Sequence, residues 1–330
     1  MSEKKGVILS GMRPTGKLHL GNLFGALENW VKLQDEYRCF FCIVDWHALT
    51  TAYEESLNIK ANVREMVLDW LSCGIDPEKS VVFKQSDVKE HAELHLLLSM
   101  ITPLSWLERV PTYKEQLQQP EGRNLATYGF FGYPLLQAAD ILLYKADAVP
   151  VGEDQAPHIE FTREVARRFN YLYDQKVFPE PATILNEYKL VPGLDNRKMS
   201  KSYNNVIEIS VPPEDIPSHV RKMITDPGRI RKNDPGNPQI CSIYAFHRIF
   251  NQQELSKIEA ACQEGQIGCV ECKNNLSGYM QSYLAPIFEK RRELEKDPQA
   301  IDDLLAKGSE RAREIAAITM QEVRSAIGLL

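Results

Sequence analysis

Gly6-Val7-Ile8-Leu9-Ser10, Arg13-Pro14-Thr15-Gly16 and Cys39-Phe40-Phe41-Cys42-Ile43-Val44 decide the fold. The first is a short apolar run, the second a turn and the third another apolar run. Between them, Leu23, Phe24, Leu27, Trp30, Val31 and Leu33 recur at helical spacing within residues 20–37. Strand, helix and strand within forty residues make a βαβ unit, which implies parallel strands. The alternation continues. Residues 56–74 predict an amphipathic helix closed by Gly74. Strands are expected at 81–83, 148–151 and 206–210, and helices at 93–100, 133–144 and 153–169. After Val211-Pro212-Pro213 the strand signal stops, and from Ser242 onward the pattern is helical. The expectation is an α/β protein: a Rossmann-type doubly wound parallel sheet in residues 1–210, then a helical domain in 211–330 whose last helix can pack back on the first domain.

Bulk composition narrows the class. With 330 residues, 43% hydrophobic and 25% charged, the chain reads as a soluble protein of about two domains. It has no run of 18 apolar residues, so no membrane span is expected. Residues 1–5 are polar, without the apolar core of a signal peptide, and the predicted location is cytoplasmic. A net charge of −6 does not favour nucleic-acid binding, nor does it exclude it, because clustering decides. Arg221, Lys222, Arg229, Arg231 and Lys232 form one basic group, and Arg163, Arg167 and Arg168 another. Patterning alone leaves solvated faces and phosphate contacts equally open.

Two motifs carry chemistry. Thr15-Gly16-Lys17-Leu18-His19-Leu20-Gly21-Asn22 lies at the turn from the first strand into the first helix. Doubly wound folds bring phosphates to a helix N-terminus at this place. Gly21 allows close approach of a nucleotide, and His19 and Asn22 offer donors to phosphate oxygens. The second motif, Lys198-Met199-Ser200-Lys201-Ser202, follows a polar loop. Two lysines three apart suit a mobile clamp on a departing polyphosphate, where positioned cations stabilise the transition state more than the ground state.

Together, residues 19–22 and 198–202 resemble the paired "HIGH" and "KMSKS" signatures of class I aminoacyl-tRNA synthetases. Within that class, Gly152-Glu153-Asp154-Gln155, the segment Asp45-Trp46-His47-Ala48-Leu49-Thr50 and the helix Pro134 to Tyr144 resemble the tryptophan enzymes. The resemblance implies ATP with Mg²⁺, L-tryptophan and tRNA(Trp) as substrates, and a homodimer without membrane attachment. It implies catalytic roles for His19, Asn22, Lys198 and Lys201. It places Met12, Arg13, Thr15, Gly16, Gly21, Gly152, Asp154, Gln155, Met199, Ser200 and Ser202 at ATP as well. Leu9, Gly11, His47, Tyr133, Gln137, Asp140, Val149, Val151 and Gln155 fall at the amino acid.

The residues support that placement independently. Tyr133, Gln137 and Asp140 are spaced i, i+4, i+7 and share a helix face. A carboxylate can accept from an indole N–H, which only donates. The same triplet resembles the tyrosine enzymes' pocket, but those enzymes carry a tyrosine where Leu9 stands. A tyrosine enzyme, a nucleotidyltransferase of the same superfold and a non-catalytic paralogue are the competing readings.

Seven cysteines, an odd number in a chain read as cytosolic, argue against a disulfide framework. Cys39, Cys42 and Cys73 fit plain burial. Cys241, Cys262, Cys269 and Cys272 form C-x20-C-x6-C-x2-C, whose closing pair has metal-ligand spacing. No histidine lies between Cys262 and Cys272, so the expected site is all sulfur. A variant of the tryptophan family carries such a motif, and the resemblance implies a [4Fe–4S] cluster, with structural Zn²⁺ as the alternative.

Overall fold

A computed structural model describes residues 4–110, 126–185 and 191–330. Five parallel strands, β1 (Val7–Met12), β2 (Arg38–Ile43), β3 (Ser80–Lys84), β4 (Ala148–Val151) and β5 (Ala182–Leu185), form one sheet in the order β3-β2-β1-β4-β5. The order reverses at β1, which makes the carboxyl ends of β1 and β4 a crevice.

Alternation along the strands sorts the core into two faces. Ile8, Phe41 and Val82 belong to one apolar cluster, and Leu9, Phe40, Val81 and Phe83 to the other. Helix α1 (residues 20–36, with a π-turn at Leu23–Leu27) and α3 (Ile59–Ser72) cover the first face. Helices α4 (Glu90–Ser99), α6 (Tyr128–Leu143) and α7 (Ala156–Leu172) cover the second. Burial on both faces explains why β2, β3 and β4 read as continuous apolar runs. Short α2 (Asp45–Ala52) and α5 (Leu104–Glu108) complete this part.

From residue 211 onward the described chain is helical: α8 (Ile216–Lys222), α9 (Ser242–Phe250), α10 (Leu255–Gln263), α11 (Cys269–Leu294) and α12 (Pro298–Ala326). Helix α12 returns to the sheet. Its Ala312, Ala316, Met320 and Val323 join the second-face cluster. Gly308 lies against the backbone of Val82, where a side chain would not fit.

One predicted strand is corrected. Residues 206–210 do not enter the sheet. Ile207 and Ile209 are buried, but their backbone bonds go to the first turn: Leu20 N donates to Ile207 O at 3.0 Å, and Ile209 N to Leu18 O at 2.9 Å. The segment makes an isolated antiparallel bridge, His19 to Glu208. The edge strand is instead β5, whose four residues lie between prolines and Asn186.

Candidate active site

A cavity of about 380 Å³ opens at the carboxyl ends of β1 and β4. Leu9 and Gly11 come from β1, Val149 and Val151 from β4, His47 from α2, and Tyr133, Gln137 and Asp140 from α6; Gln155 closes the set. All nine residues predicted at the amino acid thus line one cavity. The i, i+4, i+7 spacing on α6 brings its three polar side chains to the same wall.

Asp140 is 2% exposed and fully occupied. Gln85 Nε2 donates to both carboxylate oxygens at 2.8 and 2.9 Å. His47 Nε2 lies 2.9 Å from Oδ2, and His91 Nδ1 2.7 Å from Oδ1. The other nitrogen of His91 meets the Tyr144 hydroxyl at 2.8 Å. Burial pushes this carboxyl up, but the pull of His91 and the hydrogen bonds of His47 and His91 outweigh it and hold it below the usual range. Tyr133 has a partner behind it as well: its hydroxyl is 2.8 Å from His158 Nε2. Burial lowers His158 to about 4, so its ring is neutral at pH 7.

The sequence reading missed Gln85, His91, Tyr144 and His158. Gln85 directly follows β3, at the same end of the sheet that carries the site on β1 and β4, and that position was a usable signal. His158 is three residues after Gln155 and shares its helix side. His91 and Tyr144 gave no comparable signal.

The phosphate motifs also meet. Lys201 Nζ donates to the Thr15 carbonyl at 2.7 Å. His19 N donates to Asn22 Oδ1 at 3.0 Å, fixing the start of α1. His19 Nδ1 is buried without a hydrogen-bond partner, and burial with nearby Lys201 lowers the ring to about 4. A neutral ring keeps one N–H, which can donate to a phosphate oxygen. Gly21 packs between the His19 ring and Met199, which is buried.

Asn205, 2% exposed and unanticipated, shapes the lysine loop. Its amide donates to Asp195 Oδ1 at 2.7 Å and to the Lys198 carbonyl at 3.1 Å, and it accepts from Ser200 N at 2.8 Å. Ser200 and Ser202 share a hydrogen bond of 2.8 Å, and Lys198 is exposed. Met12, Arg13 and Gly152 lie on the cavity wall. Asp154 is exposed and accepts from Gln155 Nε2 at 3.3 Å.

Cys241, Cys262, Cys269 and Cys272 are free thiols within electrostatic reach of one another. Burial, then the three neighbouring thiols, pushes Cys272 up to about 12. Two findings depart from the expected all-sulfur site. His247 Nε2 stands 3.4 Å from Cys272 Sγ, so an imidazole from α9 joins the group. Among the described residues, no three His, Cys, Asp or Glu side chains are arranged to hold a metal ion. The donor chemistry fits a thiophilic metal. The arrangement is not a formed ligand cage.

Residues 1–285 match the family described as "tRNA synthetases class I (W and Y)", in keeping with the parallel sheet and the two phosphate motifs. The tryptophan–tRNA ligase of Thermotoga maritima is 54% identical over 326 residues, covering 98% of this chain and 99% of that protein. The tryptophan–tRNA ligase of Aquifex aeolicus is 47% identical over 393 residues, covering 98% and 99%. The solved tryptophanyl-tRNA synthetase of Campylobacter jejuni, complexed with ADP and tryptophan, superposes with a TM-score of 0.88 at 35% identity, covering 98% and 99%. The chain belongs to the tryptophan–tRNA ligase family of the class I synthetases.

Proposed function

We propose that the chain activates L-tryptophan with ATP in this cavity and transfers it to tRNA(Trp). The tryptophan carboxylate attacks the α-phosphorus, the bond to the bridging oxygen breaks, and pyrophosphate leaves. A terminal ribose hydroxyl of the tRNA then attacks the carbonyl carbon of the adenylate and releases AMP. Positioning and charge stabilisation carry the rate, and no protein nucleophile is needed. His19, Asn22 and Lys201 meet the phosphates, with which Mg²⁺ enters, and Lys198 holds the loop over them. Met12, Arg13, Thr15, Gly16, Gly21, Gly152, Asp154, Met199, Ser200 and Ser202 complete the ATP site. Tyr133 and Gln155 face the tryptophan ammonium. Asp140 accepts the indole N–H, and because all its acceptor positions are filled, His47 gives way to the substrate.

The observation that carries this reading is the convergence of nine residues from four separate segments on one cavity with Asp140 in its wall. Pyrophosphate exchange into ATP, run with each of the twenty amino acids, tests it: tryptophan supports exchange, and faster exchange with tyrosine overturns it.

The reading extends to the whole molecule. Residues 1–210 form the catalytic part and 211–330 the part that meets the anticodon, with α12 returned to the sheet. Two copies of the chain pair as a homodimer. The enzyme is cytoplasmic; no helix among the described residues is long and apolar enough to cross a membrane. Cys241, Cys262, Cys269 and Cys272 hold a structural metal centre, a [4Fe–4S] cluster ahead of Zn²⁺, that stiffens the tRNA-facing surface. The gathering of four thiols in one place supports this. Anaerobic purification with iron, sulfide and zinc analysis tests it, and four titratable thiols with substoichiometric metal overturn it.

A further inference from the structure

We infer that Asp69 and Arg291 are positioning residues for the ATP-binding turn, linking it to the seating of helix α11. The inference rests on the assignment of residues 15–22 to ATP. Asp69 on α3 is 0% exposed and Arg291 near the end of α11 is 2% exposed. Asp69 Oδ2 accepts the backbone N–H of Leu18 at 2.6 Å, one residue before His19. Its other oxygen accepts from Arg291 Nη1. The guanidinium is engaged on every side: Nη2 donates to Glu65 Oε2 at 2.5 Å, Nη1 also to the Glu65 carbonyl at 3.1 Å, and Nε to Glu295 Oε1 at 2.9 Å. One buried carboxylate therefore joins the turn to a helix 222 residues further along the chain.

Leu18 shows what the link does. Its carbonyl accepts from Ile209 N, and Leu20 N donates to Ile207 O. Those bonds hold residues 18–20 from one side, and Asp69 holds them from the other. His19, whose Nδ1 is buried without a hydrogen-bond partner, sits between the two restraints. Without Asp69 the buried N–H of Leu18 would lose this acceptor.

Stability alone does not account for the arrangement. A buried charge network is often no better than an apolar pair of the same volume. Burial pushes Asp69 up to about 6 despite Arg291 and the Leu18 N–H. The network's specific product is the position of the turn. Helix α11 has 26 residues, about 39 Å, and carries Cys269 and Cys272 at its far end. A shift of that helix along its axis reaches Leu18 through two side chains, neither of which lines the cavity.

The test is steady-state pyrophosphate exchange and thermal melting on Asp69→Asn, Arg291→Met, Arg291→Lys and the double variant Asp69→Asn/Arg291→Met. Asp69→Asn keeps an acceptor for Leu18 but loses the ion pair. Asp69→Asn and Arg291→Met each reduce kcat/KM for ATP by about tenfold and leave KM for tryptophan within about twofold. Arg291→Lys recovers part of the loss. The double variant costs no more than the larger single, since both cut one link. Lowered melting temperatures with kcat and KM for ATP unchanged overturn the inference, as does a parallel rise in both KM values. Should Arg291→Met not fold, Arg291→Lys and Asp69→Asn are judged by the same criteria. The underlying assignment fails separately, through a His19→Ala enzyme with unaltered ATP kinetics.

Discussion

Asp140 and Asp69 lie on helices that pack opposite faces of one sheet; both are closed to water, and their carboxyls are pushed in opposite directions. The difference lies in how donors are shared. Asp140 has Gln85, His47 and His91 converging on its two oxygens. Asp69 has the Leu18 N–H and one guanidinium, which it divides with Glu65 and Glu295. Burial penalises both anions, and only the first collects enough donors to reverse the penalty. Burial depth therefore gives no direction until the donors are counted.

The largest effect is expected at Asp140. Asp140→Ala leaves Gln85, His47 and His91 facing no acceptor and removes the group assigned to the indole N–H. kcat/KM for tryptophan in pyrophosphate exchange should fall on the order of 10⁴-fold, with discrimination against tyrosine narrowing as well. A drop below about tenfold would detach the four-bond carboxylate from recognition and leave it a structural feature.

Lys201 comes next. It lies within electrostatic reach of Asp69 and donates to Thr15. Lys201→Ala should lower kcat for adenylate formation by on the order of 10²-fold with little change in KM for tryptophan. The reverse pattern, KM rising at constant kcat, would mean the lysine acts in the ground state.

The smallest effect concerns pH. Asp69 sits at about 6, above its ordinary value of 3.8, so folding favours its neutral form. That contribution is present below about pH 4 and lost as pH rises through 6. Arg291 on α11, Glu65 and Cys73 on or beside α3, and Lys201 all act electrostatically on this carboxyl. Relative to wild type, Asp69→Asn should gain stability between pH 4 and 6, by no more than about 3 kcal/mol. Asp140 is depressed, so its contribution is present above about pH 4 and fades in acid. Asp140→Asn should therefore lose most at neutral pH. Urea unfolding from about pH 2 to 7 would give slopes of opposite sign, rising with pH below about 4 for Asp140 and falling between about 4 and 6 for Asp69, and equal signs would dissolve the contrast.

Much of this was legible in the chain. Continuous apolar runs marked four of the five strands because both faces of the sheet are covered. β5 was missed because Ala182-Thr183-Ile184-Leu185 is short and half exposed, and residues 206–210 were misread because Ile207 and Ile209 alternate as a strand does while bonding elsewhere. Tyr133, Gln137 and Asp140 were readable because one helix carries all three. His91 was not, because it reaches Asp140 from a position 49 residues away that no period connects. Arg291 carried no sequence signal, because its burial depends on a contact 222 residues distant.

The bridge between His19 and Glu208 bears on how the two phosphate motifs find each other. Residues 18–20 and 207–209 are stitched together, and Lys201 lies only six residues before Ile207. Fully extended, that tether spans about 20 Å. The lysine is thus confined to a small volume above the turn whatever the rest of its loop does. The ring-closure entropy of joining the motifs is spent during folding, so Lys201 is held at a high effective concentration over residues 18–20.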